Sequence, residues 1–276
     1  MTAWRAVIAT RILPVALGFH AALRDAGHEP VALLTIRDTD GRYGGFDLGG
    51  MLGELPPELD ILMAARRASI APLLESVRPD LVVCMGFPWK VPAAALAVPR
   101  LGWLNGHPSL LPRHRGPVPI AWAIRDGDDE FGITFHRMDA ELDTGPILAQ
   151  KALPVGELCE PDEFYGRLGP AVIEVLGTAL ARLAAGAEAT VQGDGDYESF
   201  FDDDDAFLDF SRPAVEVHRL VWAWRFTIPA GALHGALAEL DGETVRVLAS
   251  SLTEVEDARR VECADAPLWL VKTEPS

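Results

Sequence analysis

Basic residues are scarce in this chain. Lys and Arg total 24 against 41 Asp and Glu, a formal net charge of −17. Such a chain repels polyanions overall, so a nucleic acid or an anionic membrane would need a local basic patch. Cysteine is rare as well: Cys84, Cys159 and Cys263 are odd in number, far apart and outside any Cys-x-x-Cys spacing. That excludes a disulfide framework and a zinc knuckle, and points to a reducing compartment. No stretch of about 20 apolar residues is free of charge. The nearest, Ala6 to Leu23, is broken by Arg11, Pro14 and His20. Neither a membrane span nor a targeting segment is read there, and the expected location is cytoplasmic. No Gly-x-Gly-x-x-Gly follows the first apolar run, and no Lys-Ser or Lys-Thr follows the glycines after Gly41. A dinucleotide fingerprint and a P-loop are thereby excluded. Internal repeats are absent.

What is present is globular. With 276 residues, 49% apolar and 24% charged, the chain can bury one large core, or a medium one and a small one. Ala6 to Ala9, the helical spacing from Leu13 to Ala26 and the run Val31 to Ile36 form a strand, helix, strand unit. Parallel strands joined in this way predict an α/β fold with a mostly parallel sheet. Six glycines between Gly41 and Gly53 predict a surface loop that could act as a lid. Further on, a helix is expected over Met63 to Val77 and a strand over Asp80 to Met85, ending at Gly86-Phe87-Pro88. A short helix is expected over Pro92 to Ala97 and a strand over Leu101 to Asn105. A helix over Pro119 to Arg125 and strands over Gly132 to Arg137 and Ile147 to Gln150 follow. Leu168, Val172, Leu176, Leu180 and Leu183 then form one helical stripe between Asp162 and Leu183.

From Gly186 the composition turns to Gly, Ala and Asp, culminating in Asp202 to Asp205. We therefore expect an α/β domain over residues 1–190, an acidic linker over 191–206 and a small β-rich domain over 207–276. The last contains a helix from Pro213 to Trp224 and strands over Ala232 to Leu237 and Thr244 to Leu248, the strands separated by the turn signal Asp241-Gly242. The four aspartates lack interleaved ligand spacing and read as solvated linker, so no metal is expected. Trp222, Trp224 and Phe226 read as core, and Cys84 as a small buried hydrophobe.

The segment from Leu104 to Gln150 carries the chemistry. It holds Asn105-Gly106-His107-Pro108, then Ser109-Leu110-Leu111-Pro112 leading to Arg115-Gly116, and later Asp143-Thr144-Gly145. Residues two apart on a strand share a face, so Asn105 and His107 point together, and Pro108 keeps His107 out of helical conformation. In an open parallel sheet ligands bind beyond the carboxyl ends of strands, so Met85 to Pro88 and Asn105 to His107 should face one crevice. An amide donor beside an imidazole suits acyl transfer to an amine, which needs oxyanion stabilisation and proton handling near neutral pH. Asp143 could orient the ring or pass a proton through water. His136 alternates with buried strand positions and His114 lies in a polar loop; both read as supporting rather than catalytic.

These three separated motifs, in this order, resemble the signature of the 10-formyltetrahydrofolate-dependent formyltransferases. That family includes methionyl-tRNA formyltransferase, glycinamide ribonucleotide transformylase and the sugar N-formyltransferases. The resemblance implies a Rossmann-like catalytic domain followed by a small OB-like domain, here shortened. It implies that Asn105 and His107 bind the formyl oxygen and stabilise its oxyanion, with Asp143 assisting proton transfer. It implies that the folate lies against Met85, Gly86, Phe87, Asp139 and Asp143. Where the tRNA enzymes often carry Gly-Thr-Pro after the first strand, this chain has Ala9-Thr10-Arg11.

Charge favours a small-metabolite amine as acceptor, such as an amino sugar or a hydroxylated diamino acid. Phe201 to Ser276 holds 7 basic and 15 acidic residues, and Arg37 to Leu55 two Arg against four acids, poor surfaces for tRNA. A tRNA formyltransferase, a 10-formyltetrahydrofolate hydrolase and a folate-binding regulatory module without turnover are the alternatives. The small C-terminal domain offers a surface for a homodimer.

Overall fold

The computed structural model describes residues 2–37, 50, 53–156, 158–202, 206–227 and 235–276. The expected lid falls largely on 41–49 and 51–52, and three of the four consecutive aspartates on 203–205; these lie outside the described residues. Two compact units share the chain. The first comprises residues 1–115, 132–152 and 165–196, and the second residues 116–131, 153–164 and 197–276.

The first unit is built on seven strands: β1 (Arg5–Ala9), β2 (Glu29–Ile36), β3 (Asp60–Ala64), β4 (Leu81–Cys84), β5 (Trp103–His107), β6 (Glu130–Arg137) and β7 (Ile147–Pro154). Their order is β3-β2-β1-β4-β5-β6-β7. The pairs from β3 to β5 are parallel, and β6 runs antiparallel to β5. This is the α/β, mostly parallel architecture expected. Strands β1, β2 and β4 are apolar and buried almost throughout, as strands covered on both faces must be.

Helix α1 (Leu13–Asp25) buries Ala16, Phe19 and Leu23, one helical stripe. Helix α2 (Ile70–Val77), α3 (Ala93–Leu96) and Trp103 close another part of the core with Val7, Leu34, Leu62 and Val82. There the Trp103 indole N–H donates to Ala95 O at 3.0 Å. The long α5 (Pro161–Ala184) follows α4 (Pro119–Asp126) in the chain, and its expected stripe from Leu168 to Leu183 is buried.

The helix expected over Met63 to Val77 is only half present. Asp60–Ala64 is instead strand β3, paired in parallel with β2 at Thr35↔Met63, and a 3-10 turn at Arg67–Ser69 separates it from α2. A four-residue apolar run fits a buried strand and a buried helix equally, and here the free edge of β2 decides.

The second unit contains α4, α6 (Ala214–Arg225) and an antiparallel sheet of β8 (Ala236–Leu240), β9 (Glu243–Ser251), β10 (Arg259–Glu262) and β11 (Pro267–Pro275), in the order β10-β11-β9-β8. Asp241 and Gly242 have φ 55° and 85°, the paired positive values of the tightest hairpin turn. β8 is described from Ala236; the first residues of the strand expected from Ala232 fall on 228–234, which lie outside the described residues. Trp222, Trp224 and Phe226 are buried, as read from the sequence. No helix among the described residues is long and apolar enough to cross a membrane.

Candidate active site

Strand order reverses between β1 and β4, since β1 is followed in sequence by neighbours on one side and β4 leads to β5 on the other. Open α/β sheets bind ligands beyond such a reversal. Met85 N–H, just past β4, donates to Ala9 O at the end of β1 at 3.3 Å, tying the two strand ends together. Cys84 is in register with Asn105, so the exits of β4 and β5 are neighbours.

Three expected side chains meet on one oxygen. Asn105 Nδ2 donates to Asp143 Oδ1 at 3.3 Å, and His107 Nδ1 lies 3.7 Å from the same atom. The His107 side chain is 6% exposed and that of Asp143 14%, so the carboxylate acts on the imidazole with little solvent screening. His107 Nε2 lies 2.8 Å from His114 O. A carbonyl can only accept, so Nε2 carries the hydrogen and, in the neutral ring, the Nδ1 lone pair faces the carboxylate. Burial pushes the His107 pKa below the usual imidazole range; the Asp143 charge and the His114 carbonyl oppose the shift, and His136 and His114 reinforce it. Burial thus disfavours the charged ring, and Nδ1, the nitrogen turned toward the carboxylate, is the one that can accept a proton.

The supporting strands explain how these residues are aimed. β6 pairs antiparallel with β5, placing His136 opposite Asn105. His136 Nδ1 lies 3.0 Å from Arg137 O and therefore donates, leaving Nε2 to accept from Asn105 Nδ2 at 3.1 Å. His136 Nε2 is also 3.7 Å from Asp143 Oδ1. This imidazole, set aside on sequence grounds, belongs to the cluster; the signal that would have found it is the antiparallel register of β6, which periodicity alone does not reveal. Thr134 braces the Ser109 to Pro112 loop, its hydroxyl donating to Ser109 O at 2.7 Å and accepting from Leu111 N–H at 3.3 Å and Gln150 Nε2 at 2.7 Å.

The Asp143 loop depends on close backbone packing. Asp143 has φ 58°, a left-handed conformation that Asp tolerates better than most residues. At Gly145 a Cβ would stand 1.8 Å from Arg137 O, so no side chain fits. Asp139 Oδ1 accepts from Glu141 N–H at 3.1 Å and Thr144 Oγ1 at 2.8 Å, closing the turn from its other end.

The residues expected near the folate divide. Met85 is buried, with its sulfur 3.4 Å from where a Gly106 Cβ would sit, while Phe87 packs edge-on against Trp89 and Trp103. Met85, Gly86 and Phe87 thus lie at the carboxyl end of β4 beside β5, whereas the Asp139 carboxylate is engaged in its own loop. Cys84 is buried and its thiol pushed up to about 12, chiefly by desolvation, which leaves it inert as a nucleophile.

Comparison with known proteins bears on the family and the fold. The formyl transferase family model matches residues 62–179. The methionyl-tRNA formyltransferase of Pseudomonas fluorescens (strain Pf0-1) is 38% identical over 248 residues, 86% of this chain and 75% of that protein. Among solved structures, HypX from Aquifex aeolicus in complex with tetrahydrofolic acid superposes with TM-score 0.70 and 17% identity over 99% of this chain and 44% of that one. A sugar N-formyltransferase from Shewanella sp FDAARGOS_354 gives 0.68 and 20% over 91% of this chain and 99% of that one. At these identities the two structures establish the fold alone. The relationship in sequence goes further: this chain belongs to the formyl transferase family.

Proposed function

We propose that this enzyme transfers a formyl group from 10-formyltetrahydrofolate to the amine of a small metabolite. The observation that carries the reading is the convergence of Asn105 Nδ2 and His107 Nδ1 on Asp143 Oδ1 at a strand-order reversal. In the transfer, the lone pair of a neutral amine forms a bond to the formyl carbon, whose oxygen becomes an oxyanion. Asn105 turns its amide N–H onto that oxygen. His107 Nδ1 takes the proton released by the attacking nitrogen, and Asp143 stabilises the resulting imidazolium. Breakage of the bond from carbon to N10 of the folate then returns the proton to N10, so the ring ends neutral. Met85, Gly86, Phe87 and the loop from Asp139 to Asp143 would line the folate side.

A small acceptor is supported by charge. With −17 overall, and 7 basic against 15 acidic residues from Phe201 onward, the chain has few cations to neutralise phosphates. A second reading, with aminoacyl-tRNA as acceptor, is favoured by the 38% identity to methionyl-tRNA formyltransferase over 75% of its length. The deciding experiment is a donor-dependent formylation screen over amines and methionyl-tRNA, read by mass as the gain of one CO unit. Formylation of a small amine supports the proposal. Turnover on methionyl-tRNA alone would replace it with the second reading, and stoichiometric formate release without any amine would make the enzyme a hydrolase.

A further inference from the structure

Asp143 is presented by a loop, and a loop sets a carboxylate only as well as its backbone is held. The holding comes from Gln192, 49 residues further along. Its Nε2 donates to Asp143 O at 2.9 Å and to Gly145 O at 2.6 Å. Its Oε1 accepts from Arg115, from Nη2 at 2.9 Å and Nε at 3.3 Å. Arg115 offers only donors, so it fixes which end of the carboxamide faces which way and leaves Nε2 aimed at the two carbonyls. The guanidinium is itself anchored, with Nη1 on Gly195 O and Nη2 on Gly193 O, both at 3.0 Å. Arg115 is 9% exposed, and among the described residues its hydrogen bonds run to the neutral amide oxygens of Gln192, Gly193 and Gly195. A buried cation held by amide oxygens, with no carboxylate partner among the described residues, carries a desolvation cost that those bonds offset only in part. What the arrangement delivers is orientation.

We propose that Gln192 is a positioning residue for formyl transfer: oriented by Arg115, its carboxamide clamps the backbone of Asp143 and Gly145 so that the Asp143 carboxylate stays between Asn105 and His107. This rests on the formyl-transfer reading of the site. The discriminating variant is Gln192→Glu, which keeps an acceptor for Arg115, and adds a charge to that bond, while removing both N–H donors. It should fold with a thermal midpoint close to the parent's and lose about 10- to 100-fold in kcat on the amine returned by the screen, because small misplacements of catalytic groups cost that much. KM for the amine should change less than kcat. The acid limb of the pH profile should move to lower pH, since a withdrawn Asp143 no longer favours the charged His107 ring; the other groups facing that ring, His136 and His114, are unchanged. Gln192→Leu sets no charge against the two carbonyls and should give the same loss in kcat and the same shift of the pH profile, with a lower thermal midpoint because two Arg115 bonds lose their acceptor. Parental kcat and pH profile in either folded variant would overturn the proposal, as would loss of folding in both, which would make the role structural. Asp143→Asn separates the two levels: if it is inactive while the Gln192 variants are not, only the clamp falls. If Asp143→Asn is fully active, or no amine is formylated, the underlying reading falls first.

Discussion

His107 combines three environments in one ring: a carbonyl at Nε2, a carboxylate at Nδ1 and almost no water. Replacing it by Ala removes the proton acceptor, and steady-state kcat should fall by about 10²-fold or more. Asn105→Ala removes the donor to the oxyanion and should cost about 10²- to 10³-fold. The pH dependence has a definite sign. Burial lowers the pKa of His107 below the imidazole value of 6.5, so the basic form persists on acidification, and kcat/KM should stay flat from neutrality to below that value before falling. A profile already falling through pH 7 would contradict this. His218 offers a matching test of stability. Its pKa is lowered to about 4 by burial and by Arg219, while its Nδ1 lies 2.9 Å from Ser250 Oγ. The unfolded chain therefore takes up a proton near pH 6.5 that the folded chain refuses until about 4. The stabilisation from His218 is complete above the upper value and lost as pH falls across the window. In His218→Gln, thermal midpoints between those limits should fall less steeply with acid than in the parent.

At the level of elements, the strands and helices with a strong internal pattern were legible in the residues. β1, β2 and β4 were legible as apolar runs, α5 as the stripe from Leu168 to Leu183, and the β8–β9 hairpin from Asp241-Gly242. Asn105, His107 and Asp143 were legible as a group only because three separated motifs coincide with those of a known family; nothing local ties residues 38 positions apart. β3 was not legible, because its four apolar residues gain strand character from the edge of β2. Nor was the part played by His136, which depends on β6 running against β5. Gln192 was hidden for a different reason. It lies in a stretch rich in Gly, Ala and Asp, whose composition suggests solvated linker, while its importance comes from two carbonyls and a guanidinium supplied by distant segments. Composition reports average solvation; it is silent on a single amide held by four hydrogen bonds.

For the whole molecule, the decisive property is how the chain is divided. It passes from one compact unit to the other after residues 115, 131, 152, 164 and 196. The second unit therefore draws on internal segments as well as on the tail. Within it Phe131 packs on Phe164 at 5.1 Å between ring centroids, Phe164 on Phe226 at 5.1 Å, Trp122 on Phe201 at 4.9 Å and Phe201 on Trp224 at 5.5 Å. A gene cut after Asp196 would keep Trp122, Phe131 and Phe164 but discard the aromatic rings that cover them. The shortened product should partition into the insoluble fraction on expression and bind a hydrophobic dye when refolded, and a soluble, dye-negative fragment would refute this. The same threading bears on inheritance. A recombination event that exchanged only the last eighty or so codons would deliver half of an aromatic stack to a host that lacks the other half, so the C-terminal sheet of this protein is not a portable module and must evolve in step with the loops that precede it.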